Sequence, residues 1–563
     1  MTSRYWTELT RRRLSRRRVL GGALAAGAGA AAVALTGGCS DTKTTVDTGD
    51  GTPVHGGRYV YASVADFGTI DPVTSAAFGT GIFPRIYNTL IDRSRYNPDF
   101  FFMDLAETLE QPDDETYIYQ IRPGVKIAPN DLGIEERDLD AFDAERWLER
   151  VRDDDLAVNK SIVNQWVASF EAIDASTFTL KTNGPYAYLL FRLGGHLGGT
   201  LPPREFYEQE ISLTDKGVGA GPFAIRPGSY TETGGIQLDR NVNYYRHDDA
   251  TGEQLPYIDG IDVVRFTDRA PRRVAFDDRQ IFEYDPETAK EVADLQSKFP
   301  DLTVAEEPGS TFISFDMNPN REPWQDDRIR KAAMFALNRQ EFVDLIVGKE
   351  SGQPNGLVHW PLAGFALEPD ELEQLQPYDP ARSRELIRAA TGEESVTIKL
   401  LYPSNTDAQF HKQHVPIFLK QMREAGFNVE EDPQDITNWL ADFTQVNYNC
   451  TLSLNQYYET AEIPLDFQSS KGPLADELYA IGVGALYPEV DEAILDSKRT
   501  VDPEQHKEKV REAQRLIYEK GPTFLPIFTW VDFNVYHGFV RNFPNTRGLG
   551  TTQLFLNDWW LTL

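Results

Sequence analysis

The stretch that decides the fold is Pro308 to Val343. It opens with Thr311-Phe312-Ile313-Ser314-Phe315-Asp316-Met317-Asn318, passes Pro319 and Pro323, and continues Asp326-Asp327-Arg328-Ile329-Arg330-Lys331-Ala332. Ile313, Phe315 and Met317 are apolar at odd positions, while Ser314, Asp316 and Asn318 are polar at even ones. That alternation predicts a strand with one buried face. The two prolines mark a turn. Asp326 and Asp327 are candidate N-caps, because a short carboxylate can accept from the amides that a first helical turn leaves unpaired. In the helix expected to follow, Ile329, Ala332, Ala333, Ala336 and Val343 fall mostly on one face, and Arg328, Arg330, Lys331 and Arg339 largely off it. A strand feeding a helix through a short turn is the unit of an α/β lobe.

Outward from there, length and charge set bounds. A chain of 563 residues exceeds one core, so two or more domains are expected, and 40% hydrophobic with 12% aromatic residues suffice to fill them. The formal charge is −31, and a chain beginning at Cys39 carries six more negative charges, since residues 1–38 hold seven arginines against one glutamate. A field of that sign argues against nucleic acid and against docking on anionic lipid. Cys39 and Cys450 are the only cysteines, so a bond between them is the sole possible intramolecular disulfide.

The N-terminus points out of the cytoplasm. Ser15-Arg16-Arg17-Arg18-Val19-Leu20 resembles a twin-arginine export signal, with Val19 where that pattern prefers phenylalanine. An Ala- and Gly-rich apolar run extends to Leu35, barely long enough to span a bilayer, so an uncleaved anchor is the competing reading. Leu35-Thr36-Gly37-Gly38-Cys39-Ser40 resembles a bacterial lipobox, which makes Cys39 the expected lipid-modified first residue of the mature chain. Residues 1–38 are then the signal peptide and 39–56 a flexible tether rich in Thr, Asp and Gly. The expected location is the periplasm or the outer face of the cell membrane.

Several motifs follow in a consistent order. A strand starts at Gly57-Arg58-Tyr59 and a turn at Thr69-Ile70-Asp71-Pro72. Next come Ile86-Tyr87-Asn88-Thr89-Leu90-Ile91, read as a helix, and Leu105-Ala106-Glu107-Thr108-Leu109. Tyr117 to Lys126 is read as a strand pair about the turn Pro123-Gly124. Asp143 to Val151 is a predicted helix and Thr177 to Lys181 a predicted strand. Gly217-Val218-Gly219-Ala220-Gly221-Pro222-Phe223 lacks both the Lys-Ser/Thr ending of a phosphate loop and the dinucleotide spacing, so nucleotide binding is rejected. Later helices begin at Asp379-Pro380 and Asp502-Pro503 and stop at Gly392 and Gly521, and another carries Val415, Phe418, Leu419 and Met422 and stops at Gly426. Together with Phe315 to Arg339, Leu238-Asp239-Arg240-Asn241 and Leu255-Pro256-Tyr257-Ile258-Asp259, this order resembles bacterial extracellular solute-binding proteins of family 5, the peptide- and nickel-type substrate-binding lipoproteins of ABC importers.

That resemblance implies an α/β, two-lobed periplasmic-binding-protein fold with a large discontinuous first lobe and hinge strands. The first lobe is expected at 57–308 plus 527–563, with Leu525 to Tyr536 as the return crossing, and the second at 309–526. It implies capture of a peptide or peptide-like solute in a closing cleft and delivery to transmembrane permease subunits with cytoplasmic ATPases. The protein is expected to be a monomer, not an enzyme, to need no cofactor, and to meet the membrane through its lipid anchor. Alignment by motif places Ala76, Ala77 and Phe78 on the first-lobe side of the cleft and Tyr457, Tyr458 and Glu459 on the second. Trp530 and, more weakly, Phe528 fall where the hinge strand offers aromatics. Tyr457 and Tyr458 read equally as a half-buried strand face. The aspartate that peptide binders carry near Gln456–Tyr458 is missing, which leaves Glu459 as the only nearby acid for a ligand amine.

An exported hydrolase acting on oligomers and a surface adhesion protein without transport are the alternatives. No serine elbow, zinc-protease helix or Cys-x-x-Cys pair is present to support catalysis. His411-Lys412-Gln413-His414 has a metal-like spacing, but no third ligand is nearby, and a solvated helix start is the preferred reading.

Overall fold

The structure is a computed structural model that describes residues 52–63, 69–74, 82–94, 97–194, 199–231, 234–266, 268–349, 351–359, 362, 364–404, 409–456, 460–471, 482–542 and 558–562. The signal segment, Cys39 and most of the tether lie outside these. The tether's end is pinned where Gly56 donates its amide to Tyr257 O at 3.0 Å.

Two long strands, Thr303–Met317 and Phe524–Tyr536, run antiparallel and belong to two cores at once. In one half, Thr303–Pro308 pairs with Tyr536–Val531, beside the short strand Glu283–Tyr284. In the other, Phe312–Asp316 pairs with Thr529–Phe524, and the sheet continues through Cys450–Gln456, Val396–Pro403 and Phe427–Gln434. Ala305 and Tyr536 join the first large core, whereas Ile313, Phe315, Leu525, Ile527 and Phe528 join the second. Along this return strand Ile527 and Phe528 lie in the second core with Trp530 packed against it, and Tyr536 lies in the first.

The first lobe holds two four-stranded sheets. In one, Arg58–Ser63 lies parallel to Gly260–Arg265, followed by Gly235–Arg240 and Phe223–Ile225. In the other, Ala106–Glu110, Thr116–Ile121, Thr177–Thr182 and Val167–Asp174 are antiparallel under the helix Ala141–Asp153, which starts at an Asp140/Asp143 capping box. The C-terminus returns to this lobe. Trp559 is fully buried, with its ring 5.4 Å from Tyr59 and 5.9 Å from Tyr536. The lobe is thus discontinuous.

The second lobe is built on parallel strand–helix–strand units. Asp379 and Asp502 cap the helices Pro380–Thr391 and Pro503–Lys520 through side-chain bonds to Arg382 N and Gln505 N. Three local expectations need correction. The helix after Asp326 does not run unbroken to Val343. It ends at Ala336, and Asn338 caps a second helix, Arg339–Ile346, by accepting from Glu341 N. Helix covers only Phe83–Ile86. Asn88–Thr89 and Ile91–Ser94 are strands, since Asp104 draws out Asn88 and the Thr89 amide while Asn88–Thr89 pairs with Thr200–Leu201. Finally, the strand Thr116–Ile121 pairs with its neighbours in the antiparallel sheet rather than across Pro123-Gly124, beyond which only a Lys126–Asp138 bridge forms.

Arg330 and Arg339, expected off the apolar face, are buried. Each does work no carboxylate could do: Arg330 donates to the carbonyls of Trp324, Gln325, Lys520 and Gly521, and Arg339 to Pro526 O. The glycine run at 217–223 packs against the helix Phe83–Ile86. A Cβ on Gly219 would sit 2.3 Å from Ile86 O, so the run serves close packing.

Candidate functional site

The two long strands change lobes where their pairing breaks, between Pro308 and Phe312. Gly309 lies in that break against the Trp530 backbone. A Cβ there would fall 1.9 Å from Trp530 O, so no other residue fits without moving the crossing. Thr529 Oγ1 donates to Gly309 O at 3.2 Å, and Val531 N donates to Ser351 O at 2.8 Å. The short strand Gly352–Pro354 pairs with Trp530–Phe528 and braces the break from the side.

The second-lobe strands converge on this point. Val396–Pro403 is parallel to both Phe427–Gln434 and Cys450–Gln456, and Gln456 pairs with Thr311 just past the break. Three carboxyl ends therefore lie along one edge of the sheet, that of Cys450–Gln456 at the crossing itself, and the crevice outside the carboxyl ends of parallel strands is where open α/β sheets bind ligands. Trp530 is half-buried here, its ring 6.1 Å from that of Phe528. Phe528 does not share that setting. It is fully buried, and its ring stacks on Phe342 of the helix Arg339–Ile346 at 6.1 Å. Phe528 thus sits under that helix, and Trp530 packs against the same core at the crossing. Ala76, Ala77, Phe78, Tyr457, Tyr458 and Glu459 lie outside the described residues.

A buried charged cluster, missed in the sequence, joins the lobes beside this crevice. Glu462 of the second lobe accepts from Tyr186 Oη and Arg192 Nε of the first, each at 2.7 Å. Lys498 Nζ lies 3.3 Å from Glu462 and donates to Asp466 at 2.9 Å, while its carbonyl accepts from Ala187 N at 2.8 Å. Two carboxylates and two cations thus balance with little access to water. Burial alone would push Glu462 up, but the charges of Arg192 and Lys498 outweigh it and hold Glu462 below the usual carboxylate range. For Asp466 burial wins over the pull of Lys498, and its carboxyl is raised.

Next to the cluster, His506 Nδ1 meets Thr500 O at 2.9 Å and Nε2 meets Tyr188 Oη at 2.9 Å. A carbonyl can only accept, so the proton sits on Nδ1 and Nε2 accepts from the tyrosine. Burial lowers the His506 pKa, which suits this neutral tautomer. No spacing in the sequence announces the cluster, because Tyr186 and Glu462 are 276 residues apart. The one available signal was Glu462 and Asp466, one turn apart in an otherwise apolar segment.

His414 is fully buried, His411 has no described side chain, and the described residues contain no metal-sized group of three or more His, Cys, Asp or Glu. Cys450 is buried, and its thiol donates to Lys399 O at 3.3 Å. Among the described residues no helix is long and apolar enough to cross a membrane.

Comparison with known proteins agrees with this geometry. The model of bacterial extracellular solute-binding proteins, family 5 (middle), matches residues 101–464, more than half of the chain. The chain belongs to that family. The glutathione-binding protein GsiB of Salmonella typhimurium is 21% identical over 441 residues, 74% of this chain and 78% of its own. Among solved structures, DppA of Helicobacter pylori in complex with the peptide STSA superposes with a TM-score of 0.74 at 18% identity, over 91% of this chain and 99% of that one. NikZ of Campylobacter jejuni in complex with Ni(L-His) gives 0.70 at 15% identity, over 89% and 97%. The family-5 chain therefore has the two-lobed binding-protein fold, and the relatives it matches are binding proteins rather than enzymes.

Proposed function

We propose that this family-5 protein captures a peptide or peptide-like solute between its lobes and delivers it to the permease of an ABC importer. The observation that carries this reading is the crossing itself. Two long strands run from one lobe into the other beside the carboxyl end of Cys450–Gln456, so a solute held there touches both lobes and stabilises their closed arrangement. The peptide ligand is favoured by the relation to GsiB and by the fold shared with DppA. Ala76, Ala77, Phe78, Tyr457, Tyr458, Glu459 and Trp530 are the proposed ligand-binding residues. Permease subunits and cytoplasmic ATPases are the proposed partners, and the protein works as a monomer outside the cytoplasm, held to the membrane by a lipid on Cys39.

A ligand that binds only the folded chain stabilises it by RT ln(1 + [L]/Kd), about 2.7 kcal/mol at a hundredfold excess over Kd. A thermal-shift screen of di- to pentapeptides, glutathione, oligosaccharides and nickel–histidine is expected to raise the melting temperature only in peptide wells. Compaction by small-angle scattering should accompany the best of them. Shifts confined to the sugars or the nickel chelate would overturn the peptide reading. For the anchor, Cys39→Ala is expected to leave the chain unprocessed or to release it from membranes. Unchanged processing and retention would remove the lipid from this account.

A further inference from the structure

A polar network climbs from inside the second-lobe sheet to the crevice. On the face opposite the Ile313–Phe315–Met317 core, Asp316 accepts from Ser314 Oγ at 2.7 Å and from Ser453 Oγ at 2.5 Å. Asp316, Ser314 and Ser453 are all buried, and among the described residues no cation pairs with the carboxylate. Burial pushes Asp316 up to about 7, against the pull of the two hydroxyl donors, so above neutral pH it is ionised. Each hydroxyl has one hydrogen, which goes to Asp316 or, across the 2.8 Å between the two seryl oxygens, to the other serine, so none is left over. The two seryl oxygens can only accept from anything else.

What they accept from is Asn455. Its Nδ2 lies 2.8 Å from Ser314 Oγ and 2.6 Å from Ser453 Oγ. The amide NH2 group faces inward, and a flipped amide would set its oxygen against two oxygens with no hydrogen to offer. The buried carboxylate, acting through the serines, therefore holds the amide with Oδ1 turned away from the network. Among the described residues no hydrogen bond to Asn455 Oδ1 is formed. Asn455 is half-buried on the last residues of its strand, beside Gln456, which pairs with Thr311 at the crossing.

We propose that Asn455 is a specificity-determining residue of the crevice, whose Oδ1 accepts one hydrogen bond from an N–H or O–H of the bound solute. The inference rests on the binding reading above and deepens it by naming the chemistry read at this point. An oriented acceptor at this point selects a solute that presents a donor, such as a backbone amide, a hydroxyl or an ammonium.

The test uses the mature chain at pH 8, with trialanine, its two backbone N-methyl analogues and maltotriose as probes, read by calorimetry on wild type, Asn455→Leu and Asn455→Ser. In wild type, methylating one of the two amides is expected to weaken trialanine binding about tenfold, in the range of one lost hydrogen bond. In both variants trialanine should bind about tenfold more weakly, and methylating that same amide should cost nothing more. The serine variant keeps a polar group in the network but is too short to reach a solute, and it serves if leucine unfolds the chain. Trialanine binding that is equal in wild type and variants, or a methylation penalty that persists in the variants, overturns the inference and leaves the peptide reading standing. Maltotriose binding that weakens in the variants, with no trialanine binding, supports Asn455 and overturns the peptide reading. Binding of neither probe by wild type overturns both.

Discussion

Glu462→Gln is expected to lower folding stability by about 3–5 kcal/mol, seen as a lower denaturant midpoint. The exchange keeps shape but removes one of two carboxylates that neutralise Arg192 and Lys498 in a site nearly closed to water. The desolvation cost of the two cations remains, while half of their compensation is gone. A surface pair would not behave this way, since exposed ion pairs contribute about 0–1 kcal/mol. Adding Lys498→Met to Glu462→Gln removes the surplus cation and should recover part of the loss, which a double-mutant cycle measures. Because the cluster joins the lobes, the single variant should also scatter as a more open particle. A loss below about 1 kcal/mol, or an additive double variant, would mean that the cluster is hydrated and contributes little.

The second large effect is expected at Arg330. Arg330→Met should cost on the order of 4 kcal/mol, because four carbonyls, two of them in buried hydrogen bonds, lose their donor and each unsatisfied buried acceptor costs about 1–3 kcal/mol. Two of those carbonyls, on Lys520 and Gly521, close the C-terminal end of the helix Pro503–Lys520, where a cation also meets the helix dipole. The guanidinium further lies 5.7 Å from the centre of the Tyr487 ring. Arg330→Lys keeps the charge but lacks the planar fork, so it should recover only part of the stability. Equal midpoints for the lysine variant and wild type would show that charge alone, not the fan of donors, matters at this position.

The same arginine marks where sequence reasoning stops. Helical spacing put Arg330 off the apolar face, as a charged residue on an amphipathic helix ordinarily is. It is buried because the far end of another helix, nearly two hundred positions along the chain, brings carbonyls to it. Local patterns carried their own determinants and were legible. The alternation of Ile313, Phe315 and Met317, the caps at Asp326, Asp379 and Asp502, and the ordered motifs of family 5 all rest on residues within a turn or two of each other. They sufficed for the two-lobed fold and for solute binding. Asn338 and Asn88 were misread because a polar side chain that caps a new helix or feeds a strand gives the same letter either way.

Tertiary structure alone decided the rest. Phe528 and Trp530 are two residues apart on one strand, yet only the helix Arg339–Ile346 determines that one is core and the other borders the crossing. Tyr186, Arg192, Glu462, Asp466 and Lys498 look like unrelated polar positions until the lobes meet. Asn455 acquires a direction only because strand pairing sets Ser314 opposite Ser453 and buries Asp316 behind them. Periodicity records which face of an element is apolar. It holds no record of what that face will touch, and burial, charge balance and the aim of a side chain all depend on the partner.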